Sequence, residues 1–74
     1  YMLFTDHHDR PGMIGALGTI TGKHDINIAF MEVGRLEPRG RATMIVGLDD
    51  AMPQEALTEI NDLPDVISTS VVQI

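Results

Sequence analysis

The chain opens on Tyr1 to Thr5 (YMLFT), four aromatic or apolar residues and a β-branched threonine, which read as a short buried strand. The polar run Asp6-His7-His8-Asp9-Arg10 then leads to Pro11-Gly12. Proline is tolerated at a helix start because the N–H it lacks would be unpaired there anyway. A helix is predicted over 13–24, with Met13, Leu17 and Ile20 on one face and its end blurred by Gly22 and Asp25. Asn27 to Leu36 reads as a strand of imperfect alternation, with Ile28 and Phe30 on one side and Ala29, Met31 and Val33 on the other. A bulge, or burial on both faces, would account for that.

Glu37-Pro38-Arg39-Gly40 carries the composition of a hairpin connection. The returning strand alternates cleanly: Ala42, Met44, Val46 and Leu48 face one way, Arg41, Thr43, Ile45 and Gly47 the other. Pro53 starts a second helix with a stripe of Leu57, Ile60 and Leu63. It stops at Asp62-Leu63-Pro64, since the residue before proline avoids the helical region. A last strand is predicted over 66–74. Strand, helix, strand, strand, helix, strand with short links is the α+β, ferredoxin-like βαββαβ order, with a four-stranded antiparallel sheet and both helices on one face.

At 74 residues the chain makes one domain, spanning 1–74, and a core of this size yields little net stability. With no cysteine, neither disulfides nor a thiolate metal site can supplement it, so self-association is expected. A formal charge of −6 argues against a phosphate-backbone partner, and no apolar run is long enough to span a membrane. The five basic residues are scattered except for Arg35, Arg39 and Arg41. The chain shows no positively charged leader with a signal-like stretch. It opens at Tyr1, without an initiator methionine, directly into a strand pattern, so the expectation is a piece of a longer cytoplasmic protein, bound to neither nucleic acid nor membrane.

Most of the unusual chemistry falls between Asp6 and Gly15. A helix start presents unpaired N–H groups and partial positive charge, which suits a carboxylate. Gly12 permits close approach, and His7 and Asp9 flank it. A free amino acid, with its carboxylate and ammonium, would fit; the plainer alternative is that Asp9 caps the helix and both histidines are solvated. Asp6, His7, His8 and Asp9 are each capable of binding a metal, but neighbours on a strand point apart and His24 is distant and expected exposed, so no metal site is assigned. Gly15, Gly18 and Gly22 form a stripe nearly free of side chains, each costing about 1 kcal/mol against alanine. Close packing would compensate, either on the chain's own sheet or across a dimer. Ser68 and Ser70 lie in the last strand with no loop around them, and Asp49-Asp50 falls at a turn. No catalytic residue is therefore assigned.

The run His7-His8-Asp9-Arg10-Pro11-Gly12-Met13-Ile14-Gly15, followed by Ile26-Asn27-Ile28-Ala29-Phe30-Met31-Glu32-Val33-Gly34-Arg35, resembles the ACT domain family. More narrowly, with Gly18 and the N-I-A-x-M and V-G-R segments, it resembles the C-terminal ACT domains of D-3-phosphoglycerate dehydrogenases. The resemblance covers the whole chain. It implies a regulatory module that pairs side by side with a second copy through the sheet edge, first helices close together. L-serine, or another small amino acid, would bind in the crevice between copies. The contacting positions fall on His7 and Asp9 of one copy and Asn27 of the other, with the N–H groups near Gly12 taking the carboxylate. Well-known serine-inhibited members carry asparagine where this chain has Asp9, which would hold an ammonium group more strongly, repel the carboxylate, or be neutralised by Arg10. The resemblance implies no cofactor in this domain and NAD in the parent enzyme. Iron–sulfur L-serine dehydratases share an N-I-A-x-M stretch and form an alternative parent. A dimerisation module without a ligand is a second alternative.

Overall fold

A computed structural model describes residues 1–37 and 39–73. Its elements run β1 (Met2–His8), α1 (Met13–Lys23), β2 (Ile28–Arg35), β3 (Arg41–Leu48), α2 (Gln54–Asn61) and β4 (Val66–Val72). The four strands form one antiparallel sheet in the order β2-β3-β1-β4, the predicted ferredoxin-like arrangement. Leu3 of β1, Met44, Val46 and Leu48 of β3, Met13, Leu17 and Ile20 of α1 and Ala56 and Ile60 of α2 close a single core between the sheet and the helices. The opposite face of the sheet is bare of helices.

β3 alternates as its sequence predicts: Ala42, Met44 and Val46 are fully buried. β1 continues three residues past the predicted Thr5, through Asp6, His7 and His8. Its alternation simply carries on, with Leu3, Thr5 and His7 turned inward. Asp6 can stay in the strand because its outward carboxylate accepts hydrogen bonds from Thr43 Oγ1 (2.8 Å), Arg41 (3.3 Å) and Ser68 Oγ (3.4 Å). The Thr43 bond, helped by Arg41 and Ser68, holds that carboxyl below its ordinary value.

The bulge expected in β2 lies between Ile28 and Phe30, where the pairing with β3 shifts register. It corrects the predicted faces. Ile28 pairs with Leu48 and packs on the core, as does Met31 opposite Val46, whereas Phe30 crosses to the open face over Gly47. A Cβ at Gly47 would come within 2.3 Å of the Phe30 ring, so only glycine permits that approach. Burial on both faces is not found, since β2 is an edge strand and mostly exposed.

α1 ends at Lys23 with His24 as its cap, and Lys23 and His24 both donate to the Glu59 carboxylate on α2. His24 is therefore not exposed as predicted: its side chain is 16 % accessible. The Lys23 bond first, then the His24 bond, pulls the Glu59 carboxyl below its usual value. Pro53 caps α2 from outside the helix. Ala56 joins Ile60 in full burial, while Leu57 and Leu63 are half-buried. In the β2–β3 connection Gly40 N donates to Glu37 O and Arg39 has a φ of 59°. The predicted Pro38 lies outside the described residues, as does Ile74 of the predicted last strand.

Candidate effector site

β1 delivers His7 to the inner face of the sheet at the end where α1 begins. The imidazole is 2 % exposed. Its Nδ1 lies 3.1 Å from the His8 carbonyl oxygen. A carbonyl only accepts, so Nδ1 carries the proton and, in the neutral ring, Nε2 is a lone-pair acceptor. Nε2 is buried and finds no partner among the described residues. Leaving such an atom unpaired costs roughly 1–3 kcal/mol, so a donor from outside the chain would be welcome there. The plainer expectation of two solvated histidines thus holds for His8 alone, which is exposed.

Two residues on, the Asp9 carboxylate accepts from Arg39 N (3.1 Å) and from the Arg35 guanidinium (3.3 Å), while Asp9 N donates to Gly40 O (2.7 Å). The Arg39 hydrogen bond, with the Arg35 charge beside it, holds the Asp9 carboxyl below its ordinary range. Asp9 is therefore not a helix cap. Gly12 takes that position with a φ of 89°, and no side chain caps the helix. Nor does Arg10 neutralise Asp9, because it turns to Asp65 at 3.0 Å. Asp9, Arg10, Pro11, Arg35 and Arg39 line an open concavity of about 280 Å³.

The first turn of α1 also lacks acidic residues. The first four N–H groups of a helix have no intrahelical acceptor upstream of the cap. Here Met13 N donates to Arg10 O and Ala16 N to Gly12 O, which leaves those of Ile14 and Gly15 for an anion. A smaller hollow of about 140 Å³, lined by Pro11, Gly12, Met13, Ala16, Leu63, Pro64 and Asp65, opens beside this turn.

Asn27 is not part of this cluster. It is exposed just before β2, where Nδ2 donates to Asp49 Oδ2 at 2.8 Å and Asn27 O accepts from Asp49 N. His7 pairs with Ala42 at one end of β3, and Ile28 pairs with Leu48 at the other. Six residues at ~3.4 Å each separate the two ends by about 20 Å. Asp9 lines the larger hollow and Gly12 the smaller, with Pro11 common to both; His7 is buried at the same end of the sheet and lines neither, and Asn27 stands apart at the far end.

Two partners were not legible beforehand: Arg35 on Asp9, and Asp49 on Asn27. The grouping of Arg35, Arg39 and Arg41 was the only signal for the first. The glycine stripe offers a further observation. A Cβ on Gly15, Gly18 or Gly22 would meet nothing within 4 Å, so the stripe does not pack on the chain's own sheet. Gly18→Ala is expected to stabilise the helix of the monomer by up to about 1 kcal/mol. If a second copy's helix approaches this stripe, the same variant weakens dimerisation. Denaturation at low concentration and sedimentation at high concentration read the two effects separately.

Residues 1–65 match the family model described as the ACT domain. The chain is 47 % identical over 66 residues to a D-3-phosphoglycerate dehydrogenase of Synechocystis sp., covering 89 % of this chain and 12 % of that protein. It is 40 % identical over 68 residues to the D-3-phosphoglycerate dehydrogenase of Methanocaldococcus jannaschii, covering 92 % and 13 %. A probable L-serine dehydratase beta chain of Bacillus subtilis is 30 % identical over 64 residues, covering 86 % of this chain and 29 % of that one. The chain spans about an eighth of the length of the dehydrogenases it matches. With the βαββαβ order, the four-stranded sheet and the family match over most of its length, the chain belongs to the ACT domain family.

Proposed function

We propose that this domain is the amino-acid-sensing C-terminal module of a D-3-phosphoglycerate dehydrogenase, that it pairs with a second copy along β2, and that L-serine is its effector. The observation that carries the reading is the unpartnered, buried Nε2 of His7 beside an anchored carboxylate and an uncapped helix start. The serine hydroxyl donates to His7 Nε2, the ammonium meets Asp9, and the carboxylate accepts from the N–H groups of Ile14 and Gly15. Asn27 of the second copy closes the crevice. An antiparallel pairing of the two β2 strands carries Asn27 from the far end of one sheet to the His7 end of the other, which the separation of about 20 Å within one chain requires.

Serine is the end product of the biosynthetic route that the parent's reaction opens, so the reading is feedback control. Serine favours one arrangement of the paired domains and thereby restrains catalytic domains elsewhere in the parent, which oxidise 3-phosphoglycerate with NAD in the cytoplasm. A ligand does this only by binding the two arrangements unequally. The dehydratase relative supports a second parent, an iron–sulfur L-serine dehydratase. The chain preceding Tyr1 distinguishes them, a nicotinamide-binding domain against cysteine cluster ligands.

Calorimetric titration of the wild type and Asn27→Ala with L-serine tests the shared site. Loss of one hydrogen-bonding partner to a charged ligand group corresponds to roughly 1.5–3 kcal/mol, a weakening of at least tenfold. Equal affinity in both proteins would remove Asn27 from the site.

A further inference from the structure

One end of this domain mixes arginines with the carboxylates of Asp6, Asp9 and Asp65 that pair with them, and the other, among the described residues, carries unpaired carboxylates. Four of its five basic residues, Arg10, Arg35, Arg39 and Arg41, lie where β1 and β2 end and β3 begins. The opposite end, around the start of β2 and the end of β3, carries Asp25, Asp49 and Asp50. Among the described residues none of these three forms an ion pair. Arg35 occupies a particular place in this pattern. It is the last residue of the edge strand β2 and shares a row with Ala42 and His7 across the sheet. From there it reaches inward to the Asp9 carboxylate at 3.3 Å, the group to which an amino acid's ammonium would bind.

We propose that Arg35 is a relay between effector and partner: it holds Asp9 of its own chain when the site is empty, and on displacement by an ammonium group it pairs with the acidic end, chiefly Asp49, of a second copy. This rests on the shared-site reading above and adds the means by which occupancy reaches the interface.

The geometry of an edge pairing permits the exchange. In a two-fold antiparallel register centred on Met31 and Glu32, Arg35 stands opposite Ile28 of the second copy. Asn27 and its partner Asp49 lie next to that Ile28. Adjacent strands are ~4.8 Å apart, so Asp49 lies about two spacings from Arg35, within the combined reach of an extended arginine and an aspartate. The two-fold axis makes two such pairs. Arg35 cannot serve Asp9 and Asp49 equally at once, and a second cation at Asp9 shifts it outward by charge repulsion. In this register the Arg35 guanidinium of each copy faces the Asp49 carboxylate of the other, a complementary pairing of charges.

A double-mutant cycle on dimer dissociation tests the relay, with the wild-type 74-residue chain, Arg35→Gln, Asp49→Asn and the double variant measured by sedimentation with and without saturating L-serine. Asn27 is intact in all four proteins, so its contribution cancels. The expected result is near-additivity without serine and a coupling of about fourfold with it, from two symmetric exposed pairs of about twofold each. The coupling should fade in high salt. Arg35→Gln should also bind serine at least as tightly as wild type, because it removes the competitor for Asp9, whereas a merely structural role would weaken binding. Additivity in both conditions, or equal coupling without serine, overturns the relay while leaving the effector site standing. No serine binding by the wild type in calorimetry overturns the shared-site reading, and the relay falls with it.

Discussion

Saturating L-serine is expected to raise the thermal unfolding midpoint of this domain by roughly ten degrees or more, with glycine and L-alanine giving much less. A ligand at about 100 times its dissociation constant adds about 2.7 kcal/mol to the folded state. In a domain of this size each kcal/mol moves the midpoint by roughly 4–8 °C. Selectivity follows from His7: its unpartnered Nε2 accepts, and of the three amino acids only serine brings a hydroxyl to donate. Glycine and alanine bring the same ammonium and carboxylate, so they test the Asp9 and helix-start contacts without the hydroxyl. Asp9→Ala should abolish the shift for all three, since among the described residues it removes the one carboxylate that lines this concavity. A shift of equal size for alanine and serine would take His7 out of the selectivity argument. No shift with any of them, in a domain that still dimerises, would leave a pairing module and remove feedback control from its function.

Local contacts leave a trace in the sequence of this domain, and contacts set by sheet register do not. β3 was legible because one of its faces is fully buried and the other is not, which imposes strict alternation on Ala42, Met44, Val46 and Leu48. His7, Asp9 and Gly12 stand out in the sequence because all three lie within six positions of one strand-to-helix connection. β1 was cut short at Thr5 because Asp6, His7 and His8 look like loop composition. In the fold, Asp6 stays outward under three hydrogen bonds and His7 turns inward as a buried polar residue, an exception that no hydrophobic pattern encodes. In β2 the bulge was expected, but its position between Ile28 and Phe30 was not, and that position decides which side chains reach the core. Arg35 on Asp9 and Asp49 on Asn27 join residues 26 and 22 positions apart. Such pairs depend on strand register, which a single sequence leaves open until the sheet order is known.

Leu17→Ala is expected to cost the folded domain roughly 2–5 kcal/mol, the usual range for truncating a fully buried leucine when its surroundings relax only partly. Leu17 is completely inaccessible on α1, and it packs in the cluster that joins both helices to Leu3, Met44 and Val46. A single core below about 80 residues rarely supplies more than ~3–5 kcal/mol, so this one change can consume most of the stability of the monomer. Chemical denaturation should show a midpoint lowered by half or more, and at low protein concentration a partly unfolded population. Leu36→Ala is the control, since that side chain is 80 % exposed and its loss should change monomer stability by less than about 0.5 kcal/mol. In the proposed site the ligand carboxylate meets the first turn of α1, capped by Gly12, so loosening the helix should weaken serine binding before the fold is lost. Serine and dimerisation both favour the folded form, so either should restore part of the lost midpoint in Leu17→Ala. A variant that stays fully stable would mean that the helix layer is held by something other than this core, and the case for a marginal monomer completed by its partner would fail.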